Sequence, residues 1–162
     1  MDHVMRGLAI IEGQAEGELL ISHEPLSFWG GYDYRTGEII DRRHPLSGST
    51  AAGRILGVPF SRGSSTTTAV LLEAVRAGTA PAAIVTTGVD SFFALASIVA
   101  DELYGRSIPM IVLEADDFAK LQTGDWVCVR RDGAIVCAHP SRTRESDGAA
   151  PTSQFGLRGL GS

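Results

Sequence analysis

The sequence holds only two cysteines, and they do not stand in the C-x-x-C spacing of a zinc site. So few cannot build a secreted disulfide scaffold. No apolar run approaches the length that crosses a bilayer, and the opening MDHVMRGLAI mixes acid with base and lacks the apolar region of a signal peptide. These absences point to a cytoplasmic chain with no membrane partner. Positive charge is in deficit too: the net charge is −5 and the arginines are scattered, whereas a nucleic-acid surface needs a basic stripe. Nucleic acid is set aside. Aromatics make up 7% and no repeat or low-complexity segment breaks the pattern, so 162 residues suit one domain with one core.

What is present reads as α/β. The front third, GLAIIEGQAEGELLISHEPLSFWGGYDYRTGEIID, alternates short apolar runs with glycines and charges and suits brief strands and turns. GRILGVP is a further strand candidate. After it, Val70, Leu71, Ala74 and Val75 repeat at helical spacing until Gly78 closes the run. The rhythm then recurs: AAIVTT is a buried strand, Asp90 or Ser91 caps a helix through SFFALASIVADELYG, and IPMIVL is the next strand. A short helical piece is expected around AKLQTGD, followed by a C-terminal hairpin. Residues 1–140 form the domain, and residues 141–162, rich in Ser, Arg, Gly and Ala, read as a loose tail.

The hairpin carries both cysteines. In WVCVRRDGAIVC the Asp132-Gly133 pair signals a two-residue turn, and pairing Arg131 with Ala134 sets Cys128 opposite Cys137. The sulfurs would then be neighbours, read here as structural thiols in a reducing compartment.

Two stretches carry candidate chemistry. In PFSRGSSTTTAVLLEAVRAG, Arg62, Gly63, Ser64 and Ser65 stand at the mouth of a helix whose first N–H groups need partners. Serine oxygens serve as caps there, and an anion can bind the same donors. One serine suffices for a cap, which leaves the second for a ligand; Gly63 admits close backbone approach and Arg62 suits a carboxylate or phosphate. No lysine precedes the Ser/Thr pair as in a nucleotide-hydrolase loop, and no GxSxG elbow surrounds the serines. In TGEIIDRRHPLSG, Asp41, Arg42, Arg43 and His44 gather in a Pro-containing loop, which is either a solvated turn or a binding loop. His3, His23 and His139 share no spacing, so no metal site is expected from this chain.

Read together, TGEIIDRRHPLSGSTAAGRILGVP, SRGSSTTTAVLLEAVRAGTAPAAIV and ASIVADELYGRSIPMIVL resemble the small subunit, or swivel domain, of the aconitase X family. The likeness runs from about Gly17 to Ala138. It rests on the order of Asp41 with His44-Pro45-Leu46, then Arg62-Gly63-Ser64-Ser65, Ala80-Pro81, Ile98-Val99-Ala100 and Glu102-Leu103-Tyr104. The fold it implies is a swivelling β/β/α domain. The activity it implies is that of a hydro-lyase, which removes water from a small hydroxy acid, with an iron–sulfur cluster or iron in an aconitase X large subunit as partner and none bound by this chain.

The resemblance also assigns roles. Ser64 matches the first serine of the Gly-Ser-Ser-Arg turn that carries the catalytic base in aconitase small domains; Arg62, Gly63, Ser65 and His44 become substrate-binding neighbours. Thr66 stands where aconitase has arginine, and Phe60-Ser61 stand where smaller residues are usual, which makes Ser61 a lesser rival to Ser64. The favoured substrate is cis-3-hydroxy-L-proline, with (R)-5-phosphomevalonate as the alternative, Arg42 or Arg43 then meeting the phosphate. Two other classes compete: a non-catalytic anion-binding module, and a self-contained hydrolase pairing Ser64 with His44.

Overall fold

The structure, a computed structural model, describes residues 2–62 and 65–139. Gly63, Ser64 and the expected tail lie outside the described residues. In chain order the elements are β1 (Asp2–Arg6), β2 (Leu8–Ile11), β3 (Ala15–Ile21), β4 (Ile55–Gly57), α1 (Thr66–Ala77), β5 (Ala83–Thr86), α2 (Ser91–Tyr104), β6 (Met110–Val112), α3 (Ala115–Lys120), β7 (Trp126–Val129) and β8 (Ala134–Ala138). The mixed α/β fold inferred from the sequence is the one observed.

The strands form one eight-stranded sheet in the order β1-β8-β7-β3-β4-β5-β6-β2. Its two edge strands, β1 and β2, are consecutive in the chain and joined by Gly7 alone, so the sheet curls towards closure and hides its edges. Strand β3 is the hinge between two halves. Its first part, Ala15 to Glu18, pairs antiparallel with β7, and its last part, Leu19 to Ile21, pairs parallel with β4. Strands β4, β5 and β6 continue the parallel run.

Hydrophobic patterning fills both faces. Strands β4 and β5 are buried at every position, as expected of parallel strands covered on two sides. One core lies between the sheet and the helices, with Leu71 and Ala74 of α1, Phe93 and Ala96 of α2, and Phe28, Tyr32 and Ile39 from the long connection after β3. The second fills the curled sheet, with Leu19, Ile55, Val85, Ile111, Val127 and Ile135, and is plugged by Phe118 of α3. Val70, Leu71, Ala74 and Val75 of α1 are all buried, and Gly78 ends the helix at φ 77°, a left-handed conformation that glycine adopts without strain. Asp90 is the cap of α2, its carboxylate accepting from the N–H groups of Phe92 and Phe93.

Three expectations require correction. Strands stop at Ile21, and residues 22–54 form turns held by the isolated bridges Tyr32–Ile39 and Glu38–Thr50. The short helix, Ala115–Lys120, reaches only the first two residues of AKLQTGD, because the Asp125 carboxylate accepts from the Gln122 N–H and folds residues 122–125 into a turn. The hairpin register is off by one: Cys128 pairs with Val136 and Cys137 with Val127. The connection is a three-residue loop closed by Arg130 N–H donating to the Ala134 carbonyl at 2.9 Å, with Gly133 at φ 90°. A one-residue slip turns side chains to opposite faces, so the cysteines are separated and no disulfide joins them.

Candidate functional site

Strands β3, β4 and β5 run parallel, so the loops after them emerge on one side of the sheet. Open parallel sheets bind ligands at the carboxyl ends of their strands. Here the loops of 22–26, 58–62 and 87–90 meet there. Leu26 and Ser61 form a parallel bridge, and the Arg62 N–H donates to the Leu26 carbonyl at 2.9 Å. Asp90 fastens the third loop: its Oδ2 accepts from both the N–H and the hydroxyl of Ser61, each at 2.7 Å, while Oδ1 caps α2. One carboxylate thus fixes the start of α2 and the two residues that lead into Gly63.

The loop of 41–44 joins from the long connection. His44 is buried; its Nδ1 accepts from the Leu46 N–H at 3.1 Å, which fixes the proton on Nε2, facing the Glu24 carbonyl at 3.3 Å. In this neutral form neither ring nitrogen has a free role, so His44 clasps the loop to the end of β3. The hydrolase alternative, which needs His44 as a base for serine, loses its acceptor nitrogen to the backbone.

Between these loops lies a cavity of about 410 Å³ lined by Glu24, Pro25, Asp41, Arg43, His44 and Arg62. Two stretches far apart in sequence therefore share one recess. Arg62 is exposed, with no ion-pair partner among the described residues. Arg43 adds a second positive charge, and Glu24 and Asp41 balance the pair. A larger recess of about 650 Å³ runs beside Gln14, Glu16, Cys128 and Arg130 and contains no residue of either site-bearing stretch.

Ser65 occupies the cap position of α1 but is itself in helical conformation, φ −51° and ψ −16°, and its side chain makes no capping hydrogen bond. Two residues on, the Thr67 hydroxyl is buried with no hydrogen-bond partner among the described residues. Of the expected site residues, then, the structure joins Arg62 and His44 at one cavity, puts Ser65 at the helix start beside it in sequence, and leaves Gly63 and Ser64 outside the described residues. Glu24 and the Asp90–Ser61 clasp were not foreseen; Asp90 read only as a cap, and nothing in the sequence ties it to Ser61.

A curled eight-stranded sheet with two helices on one face and a charged recess at its parallel strand ends is a mixed α/β swivel-type domain. The aconitase X swivel domain family matches residues 4–137, and the chain belongs to that family. It is 47% identical over 124 residues to cis-3-hydroxy-L-proline dehydratase of Pseudomonas aeruginosa, covering 76% of this chain and 21% of that protein. It is 35% identical over 132 residues to the phosphomevalonate dehydratase small subunit of Thermococcus onnurineus, covering 82% of this chain and 95% of that subunit. Among solved structures it resembles Thermococcus kodakaraensis aconitase X in its holo-form, with a TM-score of 0.75 and 33% identity, covering 85% of this chain and 99% of that one. The chain spans about a fifth of the length of the proline-dehydratase relatives it matches.

Proposed function

We propose that the chain is the swivel part of an aconitase X hydro-lyase, closing over a larger aconitase X body and dehydrating cis-3-hydroxy-L-proline. The observation that carries this is the convergence of Arg62 and the 41–44 loop on one recess at the strand ends, with Gly63, Ser64 and Ser65 following Arg62 in the sequence before α1. The 47% identity to a proline dehydratase favours that substrate over others.

The chemistry divides between two bodies. Water is lost when the proton beside the carboxylate goes to a base, its electron pair becomes the new double bond, and the carbon–oxygen bond breaks. Ser64, as alkoxide, takes the proton. A serine hydroxyl is a poor base near neutrality, so its oxyanion depends on the positive end of α1 and on Arg62. Arg62 also holds the substrate carboxylate through paired N–H donors, and Ser65 and Gly63 contact it from the turn. His44, already bonded to backbone on both nitrogens, keeps the recess open rather than moving protons.

The residues around the recess do not fit an iron–sulfur cluster: both cysteines sit in the β7–β8 hairpin and neither lines the recess. Departure of the hydroxyl is therefore the larger body's task. Two exposed apolar side chains, Phe60 at 51% and Val89 at 66%, flank the Ser61–Asp90 clasp and mark a surface that a covering partner would bury.

The second substrate, (R)-5-phosphomevalonate, is favoured by one observation: Arg43 lines the same recess as Arg62 and would answer a phosphate. A native pull-down of the tagged chain, with mass spectrometry of what is retained and a dehydration assay on both substrates, separates these readings. A larger iron protein and turnover of cis-3-hydroxy-L-proline are expected. Turnover of phosphomevalonate alone reverses the substrate assignment, and recovery of the chain alone and iron-free overturns the lyase reading.

A further inference from the structure

A second cluster lies on the antiparallel half, away from the recess. Antiparallel pairing sets His3 of β1 opposite Cys137 of β8, and Trp126 of β7 opposite Ala138, so Asp125 stands level with His139. Side chains two apart on a strand share a face, which puts Cys137 and His139 together. The His139 Nδ1 lies 2.7 Å from Asp125 Oδ1, and the Cys137 thiol donates to Asp125 Oδ2 at 3.4 Å. One donor atom from each of the three lies within 4.8 Å of the other two. The His3 ring meets the His139 ring edge-on, centroids 5.5 Å apart.

Holding the 122–125 turn needs only the bond from the Gln122 N–H to the Asp125 carboxylate, at 2.9 Å. The thiol and the two imidazoles are surplus to that task. Thiolate sulfur, imidazole nitrogen and carboxylate oxygen are the donors that zinc-like divalent cations take in tetrahedral sites, at about 2.0–2.3 Å from the ion. We propose that Asp125, Cys137 and His139, completed by His3 at the rim, bind a borderline divalent cation such as zinc.

The arrangement has the features such a site needs. Asp125 and Cys137 are buried at 2% and 0% exposure, which fixes their positions, while the His139 side chain is 41% exposed and gives the ion a way in. Donors around one tetrahedral ion stand about 3–4 Å apart, so small side-chain rotations suffice. The ion takes the place of the proton between His139 and Asp125, and the thiol loses its proton to solvent, so binding releases protons. The three protein strands already in register need not move.

Cobalt(II) is the probe, because zinc is spectroscopically silent. Titration of the full chain with cobalt should give a thiolate-to-cobalt absorption band with proton release. The band should persist in C128S and vanish in C137S. H139A, whose ring is largely outside the core, should weaken cobalt binding by more than the roughly 10–100-fold lost when a partner that only orients a ligand is removed. If C137S fails to fold, H139A decides. Absence of the band in the wild-type chain, its loss in C128S, or unchanged affinity in H139A overturns the site.

Discussion

The two halves of the sheet are built from the same strand, β3, yet they do different work. The parallel half ends in loops that converge, and three of them are fastened by Asp90 and by the Leu26–Ser61 bridge into a recess that holds Arg62. The antiparallel half closes on itself through a tight hairpin and a glycine contact, Gly7 N–H donating to the Gly133 carbonyl at 3.0 Å. Parallel strands need crossovers, and their crossovers leave a row of loop ends on one side where a ligand can sit. Antiparallel strands turn back at once, so their chemistry is confined to side chains facing one another across the ladder.

Removing the positive charge of Arg62 from the recess should separate the two halves most strongly. R62A should lower kcat/KM of the assembled enzyme by roughly 10–100-fold, as expected for losing charge-assisted bonds to a carboxylate. R130A, on the antiparallel half, should leave it unchanged; steady-state kinetics of both variants are the check.

Next in size is the clasp. D90A removes a helix cap and two bonds to Ser61 and should cost about 2–4 kcal/mol in urea unfolding. Its counterpart in the hairpin, Asp132, accepts from the Ala134 N–H at 3.0 Å with an exposed side chain, so D132A should cost only about 0.5–1 kcal/mol. Equal losses would erase the distinction between the halves.

Acid stability also distinguishes the antiparallel half. Burial acts to raise the Asp125 pKa, but hydrogen bonds from His139, Gln122 and Cys137 outweigh it and hold the carboxyl below its ordinary value. A depressed carboxyl stabilises the fold above its unfolded value and loses that contribution as pH falls through the folded one. Unfolding free energy should therefore decline from about pH 4 downward, near the ordinary aspartate value, and D125N should flatten that decline. A D125N profile parallel to wild type would contradict the assignment.

The smallest effect concerns the thiols. Desolvation and the neighbouring Glu16 push the Cys128 pKa up, so it reacts slowly with iodoacetamide; Cys137, fully buried, should react more slowly still. Mild oxidation should leave no intramolecular disulfide on a non-reducing peptide map.

The parallel half was the legible one. Its signals are local: Val70, Leu71, Ala74 and Val75 repeat at helical spacing, Gly78 ends α1, Asp90 starts α2, and AAIVTT can only be a covered strand. The hairpin was misread because Asp132-Gly133 fits two loop lengths. The choice is made at a distance, where Gly133 packs so close to Gly7 that an added Cβ would stand 2.5 Å from the Gly7 carbonyl. The same long-range closure brings β1 onto β8 and unites His3 with His139, residues at opposite ends of the described chain. In the recess, the serine turn and the Asp41–His44 stretch were each visible, but their meeting depends on the Leu26–Ser61 bridge, which no spacing announces.

The role of Ser64 is decided by turnover of cis-3-hydroxy-L-proline by the complex carrying wild-type chain or S64A, with assembly followed by size-exclusion chromatography. The S64A chain should give an intact complex whose kcat falls by about 10²–10⁴-fold. An S64A complex that dehydrates the substrate at the wild-type rate would contradict that role.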